Sequence, residues 1–215
     1  MAHFLELATW PRRQLYDFFI DYSQPYFNVC ARLDVTKLLA LVRQRKIKFS
    51  VAIHYFGLRI ANEIEPFRYR LKDGGVFVYD VIDGGTTVLL PNDTFSYAYF
   101  GYHRDFQRFT DEMGEAVDQV RNGTGELKPT MRDDVIYHTT LPWISFTSFS
   151  HARTSGRGES IPRFVFGKFV EEQGRLMMPF SVEVHHALMD GIDVGRYLNN
   201  FEQALSDPEA FIKGN

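Results

Sequence analysis

Cysteine is almost absent from this chain of 215 residues, because Cys30 is the only one. A single cysteine can form neither an intramolecular disulfide nor a cysteine-based zinc site, and its apolar neighbours indicate a buried strand position. Long apolar runs are also missing, so no stretch reaches the length that a membrane span requires. The first residues lack the basic segment and apolar run of a signal peptide. We therefore expect a cytoplasmic protein.

A large excess of either charge is also missing, since the formal net charge is only −3 and the charged residues are spread along the chain. The absence of a basic stripe or an acidic tail argues against nucleic acid and membrane surfaces as partners. Apolar material is plentiful, with 45% hydrophobic and 15% aromatic residues. This is enough to close one sizeable core without disulfides or metals, so we expect a single domain over 1–215.

The hydrophobic pattern mixes helices and strands without a regular βαβ alternation. Helices are predicted at 11–22, from the Asp34 cap into the basic run 43–48, at 50–64, at 105–120 and from 190 to 205. Strands are predicted at 29–33, 67–71, 76–79, 86–90, 95–100, 135–149, 164–170 and 176–185, with a polar loop at 153–160. The pattern favours an α+β fold, a two-layer sandwich with a mixed β-sheet.

The segment 182–191 is the most informative, because an apolar strand runs into two histidines and a carboxylate followed by glycine then starts a helix. Neighbouring strand residues point to opposite faces, so His185 and His186 cannot both bind one metal ion from regular strand geometry. We expect no metal site. One histidine at a strand end can instead project into a cleft, where an imidazole is suited to take and return a proton. The alternative is that both histidines only form hydrogen bonds in the core.

The spacing His-His-x-x-x-Asp-Gly at 185–191, continued by Val194-Gly195-Arg196, resembles the signature of chloramphenicol acetyltransferases. Other stretches resemble the family too: Leu141 to Phe149 with its Pro-Trp pair, Phe95-Ser96, and Thr9-Trp10-Pro11-Arg12-Arg13. Together they extend the resemblance over nearly the whole chain. It implies a transferase that moves acetyl from acetyl-CoA, its co-substrate, to a hydroxyl of chloramphenicol or a related small acceptor. Antibiotic resistance is the implied role.

The resemblance also implies roles for residues of this chain. His186, the second histidine, is implied as the general base, with its other ring nitrogen held by a backbone carbonyl. The family places a serine four residues before the tryptophan, and this chain has Thr139 there, whose hydroxyl can donate to the tetrahedral oxyanion. Asp190 is implied to pair with Arg12 and to support the turn that carries His186, rather than to act in a triad. Gly191 is expected to let the helix begin tightly against that turn.

Aromatic residues occupy the positions that line the acceptor pocket in the family: Phe18, Phe19, Phe95 and Tyr97. Such rings fit a site that buries an aryl group. The chain departs from the family at Tyr97, where a small residue is usual, at Val165, where threonine is usual, and in the polar stretch 151–160, which includes Arg157. These departures leave acetyl transfer credible and weaken the assignment of chloramphenicol as the acceptor.

The family is a homotrimer with active sites between subunits, so the resemblance implies that His186 comes from one subunit and much of the acceptor pocket from the next. Two other functions stay open. One is a CoA-dependent acyltransferase with a different hydroxyl or thiol acceptor, such as dihydrolipoamide, although the sequence contains no lipoyl domain. The other is a catalytically silent binding or assembly protein, which would not need His186, Asp190, Arg12 and Thr139 together.

Overall fold

A computed structural model describes residues 1–123, 129, 131–153 and 159–214 of the chain. Its strands are β1 (His3–Phe4), β2 (Tyr26–Asp34), β3 (Tyr69–Lys72), β4 (Gly75–Val78), β5 (Asp83–Leu89), β6 (Phe95–Phe100), β7 (Val135–Leu141), β8 (Arg163–Gly167), β9 (Val170–Glu172) and β10 (Arg175–His185). Its helices are α1 (Arg13–Phe19), α2 (Thr36–Gln44), α3 (Phe49–Glu63), α4 (Phe106–Arg121), α5 (Gly191–Ser206) and α6 (Pro208–Lys213). Among the described residues, no helix is long and apolar enough to cross a membrane.

The main sheet has the strand order β2-β10-β8-β7-β5-β6, and β9 pairs with β10 beside this path. It is a mixed sheet, because β7 runs parallel to both β5 and β8 while the other pairs are antiparallel. Strands β1, β4 and β3 form a second, smaller sheet. The α+β sandwich with a mixed sheet that the sequence predicts is therefore confirmed.

The helices α2 to α6 pack on one face of the main sheet. Phe180 and Val182 of β10 point to that face and belong to the large apolar core. Because side chains alternate along a strand, Ser181, Glu183 and His185 point the other way. We call this second side the open face, since those helices leave it uncovered. It brings polar groups of several strands together next to the end of β10.

The small sheet supports the turn that follows β10. Tyr16 of α1 and Tyr69 of β3 pack with Ala187 and Leu188 of the turn in a separate apolar cluster. Trp10 lies edge-on to both tyrosines, with ring centroids 6.0 Å from Tyr16 and 5.8 Å from Tyr69. The amino-terminal segment is thereby fixed against the residues that carry His186.

One predicted strand is too long. The prediction extends it to 149, whereas β7 ends at Leu141. Pro142 has no N–H to donate to a strand ladder, and Ile144 N donates instead to the Leu141 carbonyl at 3.3 Å. The Ile144 carbonyl then accepts a bond from Lys168 N at 2.8 Å, so the segment turns back over β8.

Other predicted boundaries shift by a few residues. The strand predicted at 67–71 begins instead with a 3-10 turn at Glu65–Arg68, which contains Pro66. The helix predicted at 11–22 is confined to α1, and β1, β9 and α6 were not predicted. Residues 154–158 of the predicted polar loop, which include Arg157, lie outside the described residues.

Two histidines are fully buried between α3 and the sheet, with ring centroids 4.9 Å apart. The network indicates that His54 Nδ1 donates to the Ser50 carbonyl at 2.6 Å and that Nε2 accepts from Thr86 Oγ1 at 3.1 Å. His138 Nδ1 lies 3.3 Å from the Gly85 carbonyl. Burial lowers the pKa of His54 to about 4 and holds the pKa of His138 well below 6.5. Both imidazoles are therefore neutral near pH 7.

Acid should destabilise the fold through this pair. In the unfolded chain each histidine binds a proton below about pH 6.5, whereas the folded chain keeps both neutral, so their stabilising contribution is lost as the pH falls from about 6.5 towards 4. Between pH 7.5 and 5.5 the free energy of unfolding should fall by about 1 kcal/mol for each histidine, measured by urea denaturation. His54→Gln should make this fall smaller, and the exposed His3→Gln should not. An equal pH dependence in parent and His54→Gln would contradict the prediction.

Candidate active site

Arg12 organises the turn that follows β10. Its guanidinium forms an ion pair with Asp190, in which Nη2 lies 3.0 Å from Oδ1. The same group donates to the backbone carbonyls of His186, of Ala187 at 3.2 Å and of Met189 at 3.2 Å. Burial lowers the pKa of Arg12, because only 13% of its side chain is exposed. One cation thus binds both the carboxylate and the carbonyls of a single turn.

The backbone N–H groups of this turn all have acceptors. Those of His186, Leu188, Met189 and Asp190 donate to Pro25 O at 2.7 Å, to His185 O at 3.0 and 3.3 Å, and to Asp193 Oδ2 at 3.0 Å. The remaining N–H, that of Ala187, donates to the side chain of His185 at Nδ1, 3.2 Å away. His185 must therefore be neutral, with its proton on Nε2, for the turn to keep this bond.

The imidazole of His186 lies between two aromatic rings. Phe19 stacks on it with a centroid distance of 3.9 Å and an interplanar angle of 10°, and Phe27 lies 4.6 Å away on a tilted ring. Phe18 and Tyr22 extend the aromatic group around Phe19, with centroids 4.9 and 5.2 Å from it. His186 keeps 31% of its side chain exposed. The ring is held in one plane while part of it stays open to a substrate.

The structure differs from expectation at the second ring nitrogen of His186. Nδ1 is buried and forms no hydrogen bond with any described group, a backbone carbonyl included. Its near neighbour is Asp190 Oδ1 at 3.2 Å, outside hydrogen-bond geometry. The same carboxylate oxygen accepts from Arg12, so Asp190 supports the turn and also lies beside the imidazole.

Gly191 also differs from expectation. It is the first residue of α5, and a Cβ built on it would meet no described heavy atom within 4 Å. Its φ lies outside the left-handed region that favours glycine. Neither crowding nor backbone conformation within one chain therefore requires glycine at this position.

Thr139 lies far from His186 in the same chain. Thr139 is opposite Val165 of β8, which is opposite Ser181 of β10, and His186 lies five positions further along. At about 3.3 Å per residue and about 4.8 Å per strand, the separation is between about 15 and 20 Å. A single chain therefore cannot place both side chains on one reacting group.

Phe95 and Tyr97 lie with Thr139 rather than with His186. Tyr97 of β6 is opposite Thr87 of β5, and strand alternation places it on the open face at the level of Thr139. Phe95 is half exposed, and its ring centroid lies 5.6 Å from that of Tyr97. The predicted site residues thus form two groups. The His186 group contains His186, Asp190, Arg12, Gly191, Phe18 and Phe19, and the Thr139 group contains Thr139, Phe95 and Tyr97.

This grouping changes one expectation about the pocket. Phe19 stacks on His186 of its own chain, so it does not come from the next subunit. Sequence reasoning missed Phe27, whose ring also contacts the imidazole of His186, and Tyr26, which pairs with His185. The pairing of β2 with β10 brings both residues here, and nothing local in the sequence reveals it.

Comparison with known proteins gives consistent matches. A family model described as chloramphenicol acetyltransferase matches residues 2–202. A chloramphenicol acetyltransferase of Proteus mirabilis is 30% identical over 200 residues, which cover 93% of this chain and 92% of the relative. One of Streptomyces acrimycini is 32% identical over 213 residues, covering 95% and 94%. A solved chloramphenicol acetyltransferase superimposes with a TM-score of 0.87 at 26% identity, covering 95% of this chain and 100% of that one.

Neighbouring arginines provide a matched test of the turn. Arg12→Met should lower the free energy of unfolding by about 3 kcal/mol, because it leaves Asp190 and three carbonyls without their donor. Arg13→Met should change it by less than about 0.5 kcal/mol, because Arg13 forms an exposed pair with Asp17 at 2.6 Å. Thermal and urea unfolding measure both. Equal melting temperatures for the two variants would show that the Arg12 contacts do not stabilise the turn.

Proposed function

The chain belongs to the chloramphenicol acetyltransferase family and is an acetyl-CoA-dependent acyltransferase, and from this premise we propose that it acetylates a hydroxyl of chloramphenicol or a closely related small acceptor. The observation that carries the proposal is the environment of His186. Its ring is fixed between Phe19 and Phe27, its turn is held by Arg12, and 31% of its side chain is exposed. We propose that the reaction occurs in the cytoplasm and confers resistance.

The proposed chemistry uses neutral His186 as a general base. Nδ1 is buried beside Asp190, which leaves Nε2 to face the acceptor hydroxyl. As the hydroxyl oxygen attacks the thioester carbonyl of acetyl-CoA, its proton passes to His186. The tetrahedral oxyanion then collapses, the carbon–sulfur bond breaks, and His186 returns the proton to the leaving thiolate of CoA. A hydroxyl placed at the oxyanion stabilises the intermediate, and Thr139 is proposed for that role.

The separation of Thr139 from His186 supports a site shared between copies of the chain. We propose the homotrimer of the family, in which the His186 group of one subunit meets the Thr139 group of the next. Both ends carry exposed apolar side chains that such a contact would cover: Phe18 and Tyr22 near His186, and Leu89, Phe95, Trp143 and Ile144 near Thr139. A catalytically silent protein would have no need to expose two such complementary groups.

Two of the departures from the family, Val165 and Tyr97, lie around Thr139. Val165 is directly opposite Thr139 in the sheet, and Tyr97 lies at the same level of the open face. They therefore bear on the fit of the acceptor and the acetyl group, and leave the base itself unchanged. We propose chloramphenicol as an acceptor that binds less tightly than in an enzyme with a small residue at position 97.

The two adjacent histidines should respond differently to substitution. His186→Ala should reduce turnover at least about a hundredfold and leave the fold intact, because it removes only the proposed base. His185→Ala should mainly lower the melting temperature, because His185 is buried and holds Ala187 N–H. Thiol release from acetyl-CoA and circular dichroism measure the two effects. Equal, large losses of activity in two well-folded variants would contradict the assignment of the base.

Mixed oligomers should locate the shared site. Inactive His186→Ala and Thr139→Ala chains, mixed and allowed to exchange subunits, should regain part of the parent turnover, because some interfaces then combine an intact His186 group with an intact Thr139 group. His186→Ala mixed with Phe19→Ala should regain none, since both changes damage the His186 group.

Light scattering and mass spectrometry would verify that mixed oligomers form. A monomeric parent would refute the shared site directly. Equal recovery in the two mixtures would show that Phe19 and His186 serve different sites, contrary to their stacking within one chain.

A further inference from the structure

A charged side chain outside the catalytic turn is linked to it through an aromatic ring. The guanidinium carbon of Arg153 lies 3.3 Å from the centroid of the Tyr26 ring. The Tyr26 ring in turn lies edge-on to His185, with centroids 5.1 Å apart and an interplanar angle of 82°. Arg153, Tyr26 and His185 thus form a continuous stack on the open face, and we call it the Arg153 stack. Its inner end is the imidazole that holds Ala187 N–H.

The outer end of the stack is held by the Glu183 carboxylate and by a backbone carbonyl. Arg153 Nε donates to Glu183 Oε1 at 3.0 Å, and Nη2 binds the same oxygen. Tyr26 Oη donates to the Glu159 carbonyl at 2.6 Å. Only 12% of the Arg153 side chain and 9% of the Glu183 side chain are exposed, so the pair is largely shielded from solvent.

The charges around His185 come from several elements. Glu183 lies on its own strand and face, His186 follows it in the chain, and Arg153 reaches it from the segment before β8. Further groups complete this environment: His151, 3.4 Å from Glu183, Glu159, which pairs with Arg163, and Arg163, opposite Glu183 in the sheet. Arg12 and Asp190 lie at the far side of the turn. Glu183, two residues before His185 on the same face of the strand, is the carboxylate of this group that Arg153 binds.

The balance of these charges favours neutral His185. Burial lowers its pKa to about 4, and the Arg153 charge and His186 act in the same direction. Burial alone would raise the pKa of Glu183, but His151 and Arg153 together hold it below its ordinary value. Glu183 is therefore ionised and paired with Arg153.

We propose that Arg153 is a positioning residue for the catalytic turn: by stacking on Tyr26 and neutralising Glu183, it keeps His185 an acceptor for Ala187 N–H. Ala187 follows His186 directly, and its N–H is the one in the turn that a side-chain nitrogen holds. In a protonated His185, Nδ1 carries a proton and can no longer accept from Ala187 N–H. The turn would then lose this hydrogen bond next to His186. The effect on catalysis rests on the proposed role of His186, whereas the protonation state of His185 can be measured independently of that role.

The decisive variant is Arg153→Met, which keeps the apolar stem and removes the charge. The charge that helps to hold the pKa of His185 down is then lost, while Glu183 keeps His151 beside it at 3.4 Å, so His185 should bind a proton more readily. In histidine-resolved NMR titrations the midpoint of His185 should rise by about one pH unit. Near pH 5, Ala187 N–H should exchange with solvent about tenfold faster than in the parent. In kinetics, the loss of kcat/KM in acid should depend on the binding of two protons instead of one below about pH 5, which gives a steeper pH profile.

Three further variants separate charge from general damage. Arg153→Lys keeps the charge, so the midpoint of His185 in this variant should equal that in the parent. Arg153→Met combined with Glu183→Gln also removes the carboxylate, so the midpoint of His185 and the exchange of Ala187 N–H should move back towards the parent values. Arg32→Met is the matched control, because Arg32 forms an exposed pair with Glu172 about 20 Å further along β2 and should change nothing at His185.

The outcomes are distinct. An unchanged His185 midpoint in folded Arg153→Met overturns the proposal, as does a raised midpoint with Ala187 N–H still protected. A raised midpoint that Arg153→Lys shows equally overturns the role of the charge. If the parent transfers no acetyl to any hydroxyl acceptor, the proposed function fails, while the NMR and exchange results still decide the link between Arg153 and the turn.

Discussion

The contact of Arg12 with the turn after β10 is the constraint on which the site depends. A tight turn leaves carbonyls pointing away from the helix that follows, and buried carbonyls need donors. The planar guanidinium supplies several donors in fixed directions, so one side chain can bind three carbonyls and the Asp190 carboxylate at once. Lysine has the charge without that geometry. The segment that carries Arg12 is itself fixed by Trp10, which packs on Tyr16 and Tyr69. The packing of the small sheet is therefore linked to the position of His186 through this one cation.

Adjacent histidines in this turn have opposite requirements. His185 is 4% exposed and must stay neutral to hold Ala187 N–H, whereas His186, the proposed base, needs access to solvent and substrate. Strand alternation satisfies both, because it sends one imidazole under Tyr26 and the next towards Phe19. The aromatic rings on each side fix the two planes by dispersion and excluded volume, which adds no charge beside either imidazole.

Local chemistry in the sequence predicted much of this arrangement. Alternation at 185–186 predicted two faces, and Asp105 caps α4 through Arg108 N at 2.7 Å, at the start of the helix predicted there. Prediction failed where distant segments decide. Tyr26 meets His185 only through the pairing of β2 with β10, and Asp190 Oδ1 approaches His186 because Arg12 holds it there. The sequence contains no local signal for either contact. The end of β7 is different, because Pro142 is itself a local signal, and it ended the strand eight residues before the predicted end.

The open face explains why a single chain contains two incomplete groups. A two-layer sandwich buries one face of its sheet under helices, and the other face must be covered by loops, by a partner or by water. Here that face carries Thr139 at one end and the Arg153–Glu183 pair near the other, and half-exposed Phe95 lies beyond Thr139. A buried ion pair specifies which residues face each other more than it stabilises the fold, because the cost of desolvating the two charges offsets most of their attraction. The Arg153–Glu183 pair can therefore fix the conformation of the turn without adding apolar surface to this face. The apolar residues at the Thr139 end provide the area that a second copy could bury. In the proposed trimer, the His186 group and the Thr139 group are separated along the sheet because each lies at a different edge of the contact between two copies.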